Sequence, residues 1–115
     1  MYIPAHFKIK ETAEIRTFVK AHPFGMLLSN GSQVPGVTHL PLQLMTDEEG
    51  NEYALATCES GTSFVDVTDP LNPVVLGFLP TNTFKSWWFD VKIYKNYAYI
   101  GSEARNHGMS VFDLT

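Results

Sequence analysis

Four histidines, one cysteine and a recurring set of aspartates are the residues of this 115-residue chain that could hold a metal or move a proton. His6, His22, His39, His107 and Cys58 include no pair at the C-x2-C or H-x3-H spacing of a zinc site, so they read as polar or capping residues. Asp66, Asp69, Asp90 and Asp113 stand beside predicted strands. Carboxylates at about 5–9 Å support glycosidic chemistry and clustered ones bind calcium. A simpler role fits their positions: Asp69 precedes Pro70 as turn residues do, and Asp66 and Asp113 take matching places in a repeat, where a carboxylate caps backbone amides. Ser29, Ser60, Ser63, Ser86, Ser102 and Ser110 form no G-x-S-x-G elbow, and no histidine is spaced to activate one. Asn30-Gly31-Ser32 and Gly108-Met109-Ser110 are too short to cradle a nucleotide phosphate. No catalytic residue and no metal ligand is assigned, and the expectation is a chain without enzyme activity. The aromatic run Trp87-Trp88-Phe89 could form a ligand platform, but alternation places Trp87 and Phe89 on one face of a strand and Trp88 on the other, and core packing is the favoured reading.

The elements that must position these residues are mostly strands. Residues 11–21 place Ile15, Phe18, Val19 and His22 at helical spacing, with Thr12 as N-cap and Pro23 as terminator, which predicts one short amphipathic helix. Residues 24–29 and 34–45 read as strands joined at Asn30-Gly31, a hairpin signal. In the second of them Thr38, Leu40, Leu42 and Leu44 share a face that is expected to point inward, and Val37, His39, Pro41 and Gln43 share the other. A polar turn at 47–52 follows, and its geometry predicts Met45 and Tyr53 on adjacent antiparallel strands. Further strands are predicted at 53–57, 62–67, 74–79, 87–94, 97–102 and 109–114. The fold class is therefore α+β, mostly β, with one helix and about eight short antiparallel strands in a single domain spanning 1–115.

Beyond residue 50 the chain repeats itself. Tyr53-Ala54-Leu55-Ala56 echoes Tyr97-Ala98-Tyr99-Ile100, and the eight residues from Gly61 to Thr68 echo those from Gly108 to Thr115. The offsets of 44 and 47 residues suit a four-stranded propeller blade.

A net charge of −4 and cationic residues scattered along the chain leave no basic stripe to track phosphates, so nucleic acid is not expected as a partner. The opening residues lack the pattern of a signal peptide and no apolar run could span a bilayer, so a membrane is not expected either, and the chain as written is expected in the cytoplasm.

Two resemblances follow from the motifs. Met1-Tyr2-Ile3-Pro4-Ala5-His6-Phe7, the helix, residues 24–31 and Thr38-His39-Leu40-Pro41-Leu42 resemble the start of the PaiB-type FMN-binding negative transcriptional regulators over about residues 1–45. That resemblance implies the opening of a split β-barrel, with FMN held at a dimer interface, and makes Thr38 and His39 the candidate flavin residues, donors suited to its phosphate. Residues 52–115, with Gly61-Thr62-Ser63-Phe64-Val65-Asp66-Val67-Thr68 and Gly108-Met109-Ser110-Val111-Phe112-Asp113-Leu114, resemble an LVIVD-type repeat of choice-of-anchor β-propeller proteins, a parentage that implies an extracellular source. The chain thus reads as a chimera, 1–46 split-barrel-like and 53–115 blade-like with the junction at 47–52, recombined by engineering or selection, without an evolved activity. A residual FMN-binding module or a β-rich protein-interaction domain is the alternative. No cofactor is expected, FMN being the alternative, and the expected partner is a second copy in a strand-exchanged homo-oligomer, because half a barrel and part of a propeller both leave strand edges open.

Overall fold

The computed structural model describes residues 4, 8–29 and 36–115, and among these one helix precedes eight strands. Helix α1 (Thr12–Ala21) carries Glu14 in its first turn and Lys20 in its last, each at the end of the helix dipole that favours its charge. Its start differs from the expectation: Glu11, in an extended conformation, is the N-cap, and no side chain caps the helix because Thr12 already has helical geometry. The amide of His22 donates to the carbonyls of Phe18 and Val19 at 3.0 and 3.2 Å, closing the helix before Pro23. Among the described residues no helix is long and apolar enough to cross a membrane.

Strands β1 (Phe24–Ser29), β2 (Gly36–Thr46), β3 (Glu52–Cys58), β4 (Gly61–Asp66) and β5 (Val74–Pro80) form one antiparallel sheet in that order. Strands β6 (Phe89–Tyr94), β7 (Tyr97–Ser102) and β8 (Met109–Asp113) form a second. The expected class, one helix with eight antiparallel strands in a mostly β domain, is the observed one. In the first hairpin Ser29 lies opposite Gly36; the turn expected at Asn30-Gly31 falls outside the described residues. Met45 lies directly opposite Tyr53, so the sheet runs without a break across the polar turn.

Asp47 organises that turn. Its carboxylate accepts the side-chain amide of Asn51 at 2.9 Å, the Asn51 backbone amide at 2.8 Å, the Tyr53 hydroxyl at 3.0 Å and the Glu49 amide at 3.0 Å. These donors, the Asn51 side chain foremost, hold the Asp47 carboxyl below the usual carboxylate range, and the same bond pushes the Tyr53 phenol up. Asp66 and Asp113 are lowered by the hydroxyl and amide of Thr68 and by the amide and hydroxyl of Thr115, and Asp69 by Asn72 and Leu71. Since each folded value lies below the unfolded one near pH 4, the stability these turns contribute is complete above that pH and is lost as pH falls through the folded values. The melting temperature is therefore expected to drop as the pH falls below about 4, and Asp47→Asn to flatten part of that drop. A thermal melt series over that range checks it, and an unchanged slope in the variant would remove Asp47 from the account.

The repeat in the sequence is a repeat in the structure. The β3–β4 hairpin pairs Tyr53 with Asp66, and the β7–β8 hairpin pairs Tyr97 with Asp113. The amide of Val67 reaches the carbonyl of Glu52 at 2.8 Å, and the amide of Leu114 reaches that of Asn96 at 2.8 Å. Asp66 caps the amide of Thr68 and Asp113 that of Thr115, the capping role expected for both.

The two sheets meet on a cluster of Leu55, Phe89, Val91, Ala98 and Ile100, flanked by Met45, Phe64, Leu79, Ile93 and Leu114. The Phe64 and Phe112 rings, 4.8 Å apart, continue the contact toward β8. Opposed residues of an antiparallel pair share a face, so Met45, Tyr53, Leu55 and Phe64 face the second sheet, whereas Leu42 and Leu44 lie with Ala54 and Ala56 on the opposite side. This corrects the expectation that the leucine face of β2 points to the core. That face looks toward α1, whose Arg16 guanidinium pairs with Glu52, opposite Thr46, while Met45, from the alternate set, reaches the buried cluster. The second sheet buries Ala98 and Ile100, whose counterparts in the repeat are Ala54 and Ala56 on the first sheet's outer side. The two sheets therefore stack in the same sense, each offering the other the opposite face of one repeated hairpin.

Candidate functional site

The stacking leaves a cavity of about 500 Å³ where the β1–β2 hairpin meets the start of β6. Pro23, Phe24, His39 and Pro41 form one wall. Register places them: Phe24 opens β1 opposite Pro41, and the Leu42 amide donates to the carbonyl of Pro23 at 2.6 Å, which holds the end of the helix against β2. The Phe24 ring lies over the His39 ring at 6.2 Å, 13° from parallel. Trp87, Trp88, Phe89, Asp90 and Lys92 form the other wall.

The second wall differs from the sequence expectation. Trp87 and Trp88 do not belong to β6 and do not pack in the core; they are 87% and 64% exposed, while Phe89 is buried. Ser86 is the cause. Its amide is held by the carbonyl of Glu59 at 3.1 Å and its hydroxyl accepts the Trp88 amide at 3.2 Å, so the chain bends here and sheet pairing begins only at Phe89 opposite Ser102. Phe89 is fixed from behind by an edge-on contact with His107, at 5.4 Å and 88°, and His107 Nδ1 bonds the Thr83 hydroxyl at 2.9 Å.

Of the two candidate flavin residues, the structure brings His39 into the cavity and leaves Thr38 out of it. Thr38 pairs with Leu27 and alternation turns its side chain to the other face of β2. Phe24 and Lys92 are lining residues that no sequence pattern singled out. Lys92 Nζ lies 3.7 Å from Asp90 Oδ1, with both side chains largely in solvent, a spacing at which the lysine keeps hydrogen-bonding capacity for an anion. Aromatic rings on both walls suit a flat aromatic molecule, and the Lys92–Asp90 pair at the rim offers it an ammonium donor without net positive charge. Among the described residues no three histidine, cysteine or acidic side chains gather as metal ligands would.

Against this geometry, a family model described as Putative FMN-binding domain matches residues 1–59. The match takes in α1, β1, β2 and β3, and with them the wall of Pro23, Phe24, His39 and Pro41; it continues past the turn at 47–52 and stops short of the wall of Trp87 to Lys92. Neither the search of curated proteins nor that of solved structures returned a match.

Proposed function

We propose a flavin-binding module, starting from the premise that this chain belongs to the FMN-binding domain family. The observation that carries the reading is that the family's segment supplies one wall of an aromatic cavity large enough for a cofactor-sized ligand, with His39 on that wall. The residues present fit the group in kind: Phe24, His39 and Trp88 offer ring surface to an isoalloxazine, and Lys92 and His39 offer donors to a phosphate. Bound FMN would supply a redox-active ring. The residues of this chain bind and orient, and none of them is assigned a bond-making step, so the module is a binder without catalysis of its own.

With one lysine at the rim, affinity should be modest. FMN is expected to bind with a dissociation constant above about 1 μM and more tightly than riboflavin, which lacks the phosphate. Lys92→Met should reduce that preference, leaving the share that His39 supplies, and Trp88→Ala should weaken both ligands roughly 3- to 10-fold, the worth of one aromatic contact. Titrations followed by flavin fluorescence measure all of these. Equal binding of FMN and riboflavin, together with indifference to Trp88→Ala, would remove the cavity as the site.

One observation favours a second reading. The internal repeat runs from Tyr53 to Thr115 and mostly lies beyond the family match, which ends at Glu59. A recombined chain, with a blade-like segment joined to the start of a flavin domain and no evolved activity, has that organisation, and it would bind neither flavin.

A further inference from the structure

We infer that a second cavity, between the two sheets, takes a small organic cation: an aromatic body carrying an ammonium group. The cavity, of about 550 Å³, lies between β3 to β5 of the first sheet and β8 of the second. It shares no lining residue with the candidate flavin cavity, so it stands whatever that cavity binds. Gly77 points to a ligand here. It lies inside β5 opposite Phe64, which is itself opposite Leu55, so all three positions face the second sheet. A glycine inside a strand weakens it, and is explained by a backbone that needs positive φ, by neighbouring chain pressed close, or by a ligand that approaches there. Gly77 is not among the glycines of positive φ, so the register shift beside it, between Phe64 and Val65, does not demand glycine. A side-chain carbon built on it would meet nothing within 4 Å, so no part of the described chain presses on it. A ligand is the remaining cause, and Gly77 lines the cavity.

The charges of the lining select the occupant. Asp47 and Asp113 both line the cavity, and no lysine, arginine or histidine does, so an anionic group is repelled and a cation favoured. Tyr53 offers the contact. Its hydroxyl donates to Asp47 Oδ2 at 3.0 Å, which leaves the phenolic oxygen to accept from an ammonium, with the carboxylate charge directly behind it. The rings of Phe64 and Phe112, 4.8 Å apart and 36° from parallel, supply aromatic surface for the body or for the cation itself. Leu55 and Leu79 make that surface continuous with the core.

The test uses the full chain and three probes that share one aromatic body: naphthylmethylamine, cationic at neutral pH, naphthalenemethanol, neutral, and naphthoate, anionic. Calorimetric titration should show the amine binding roughly tenfold more tightly than the alcohol, the worth of one partly desolvated cation contact, and the acid most weakly of the three. The amine should shift the amide resonances of Phe64, Gly77 and Leu79. Gly77→Ile should fill the cavity and weaken the amine about tenfold, and it should leave the melting temperature no lower than the parent's, because the added carbons enter open space and a β-branched residue suits a strand better than glycine. An amine that does not bind, or binds no better than the alcohol, would overturn the inference, as would affinity undiminished in a folded Gly77→Ile chain. Should that variant not fold, the decision rests with the resonances of the unaltered chain: shifts at Phe24, His39 and Phe89 in place of those at Phe64, Gly77 and Leu79 count against this cavity.

Discussion

Gly61→Ala is expected to destabilise the fold by about 3 kcal/mol, a large share of the stability of a domain this size. Gly61 opens β4 just after the two-residue turn of the β3–β4 hairpin, is buried, and has φ of 152°, a conformation other residues rarely adopt. An added side-chain carbon would fall on the carbonyl oxygen of Leu79, 2.8 Å from the Phe78 ring and 2.9 Å from the Cα of Pro80. Two of these three obstacles are backbone atoms, and the backbone cannot yield: Gly61 is opposite Pro80 in the ladder, and the Thr81 amide holds the carbonyl of Ser60 at 2.8 Å. Conformational strain and steric overlap therefore add. Gly50→Ala and Gly108→Ala isolate the first term, since both glycines have positive φ and open space around them, and each should cost about 1 kcal/mol. Urea denaturation of the three variants separates the terms. A loss at Gly61 no larger than at Gly50 would mean that β5 does not press on the hairpin as described.

The strands were legible because the chain punctuates them well. Tyr97 to Ser102 reads correctly from its own alternation and its turn at Lys95-Asn96, and the pairing of Met45 with Tyr53 follows from the length of the polar turn alone. The repeat was legible for a deeper reason: Tyr53 and Asp66 recur as Tyr97 and Asp113 because each pair sits across one hairpin, so a structural contact repeats as a pair of sequence positions. Alternation gives two faces without saying what lies over each. Both faces of the end of β2 are half-buried, one by the second sheet and one toward the helix, and so the leucines mark the wrong side. The tryptophans were misplaced for a local reason, a serine hydroxyl taking an amide that an uninterrupted strand would have used in pairing. The candidate cavity was half legible. His39 stood in a recognisable motif, but Lys92 and Phe24 come near it only through sheet stacking, which no spacing within one strand encodes.

Leu55→Ala is expected to cost about 3 kcal/mol and to unfold both sheets together. Leu55 is 1% exposed and is the one member of the buried cluster that the first sheet contributes; Phe89, Val91, Ala98 and Ile100 all come from the second. It belongs to β3, within the segment matched to the FMN-binding family, so the contact joins that segment to the strands beyond the match. Shortening it leaves a cavity at the seam, with walls that are two sheets rather than flexible loops, and such walls close poorly. The loss should therefore fall near the middle of the range for a buried leucine. Unfolding followed by tryptophan fluorescence, reporting on Trp87 and Trp88 beside the second sheet, should coincide with unfolding followed by far-ultraviolet circular dichroism, in the variant as in the parent. Leu42→Ala, on the half-buried opposite face of the same sheet, provides the comparison and should cost about 1 kcal/mol. If Leu42→Ala proved the more damaging of the two, the principal core would lie under the helix, and the assignment of faces that places His39 and the second sheet around a common cavity would fall with it.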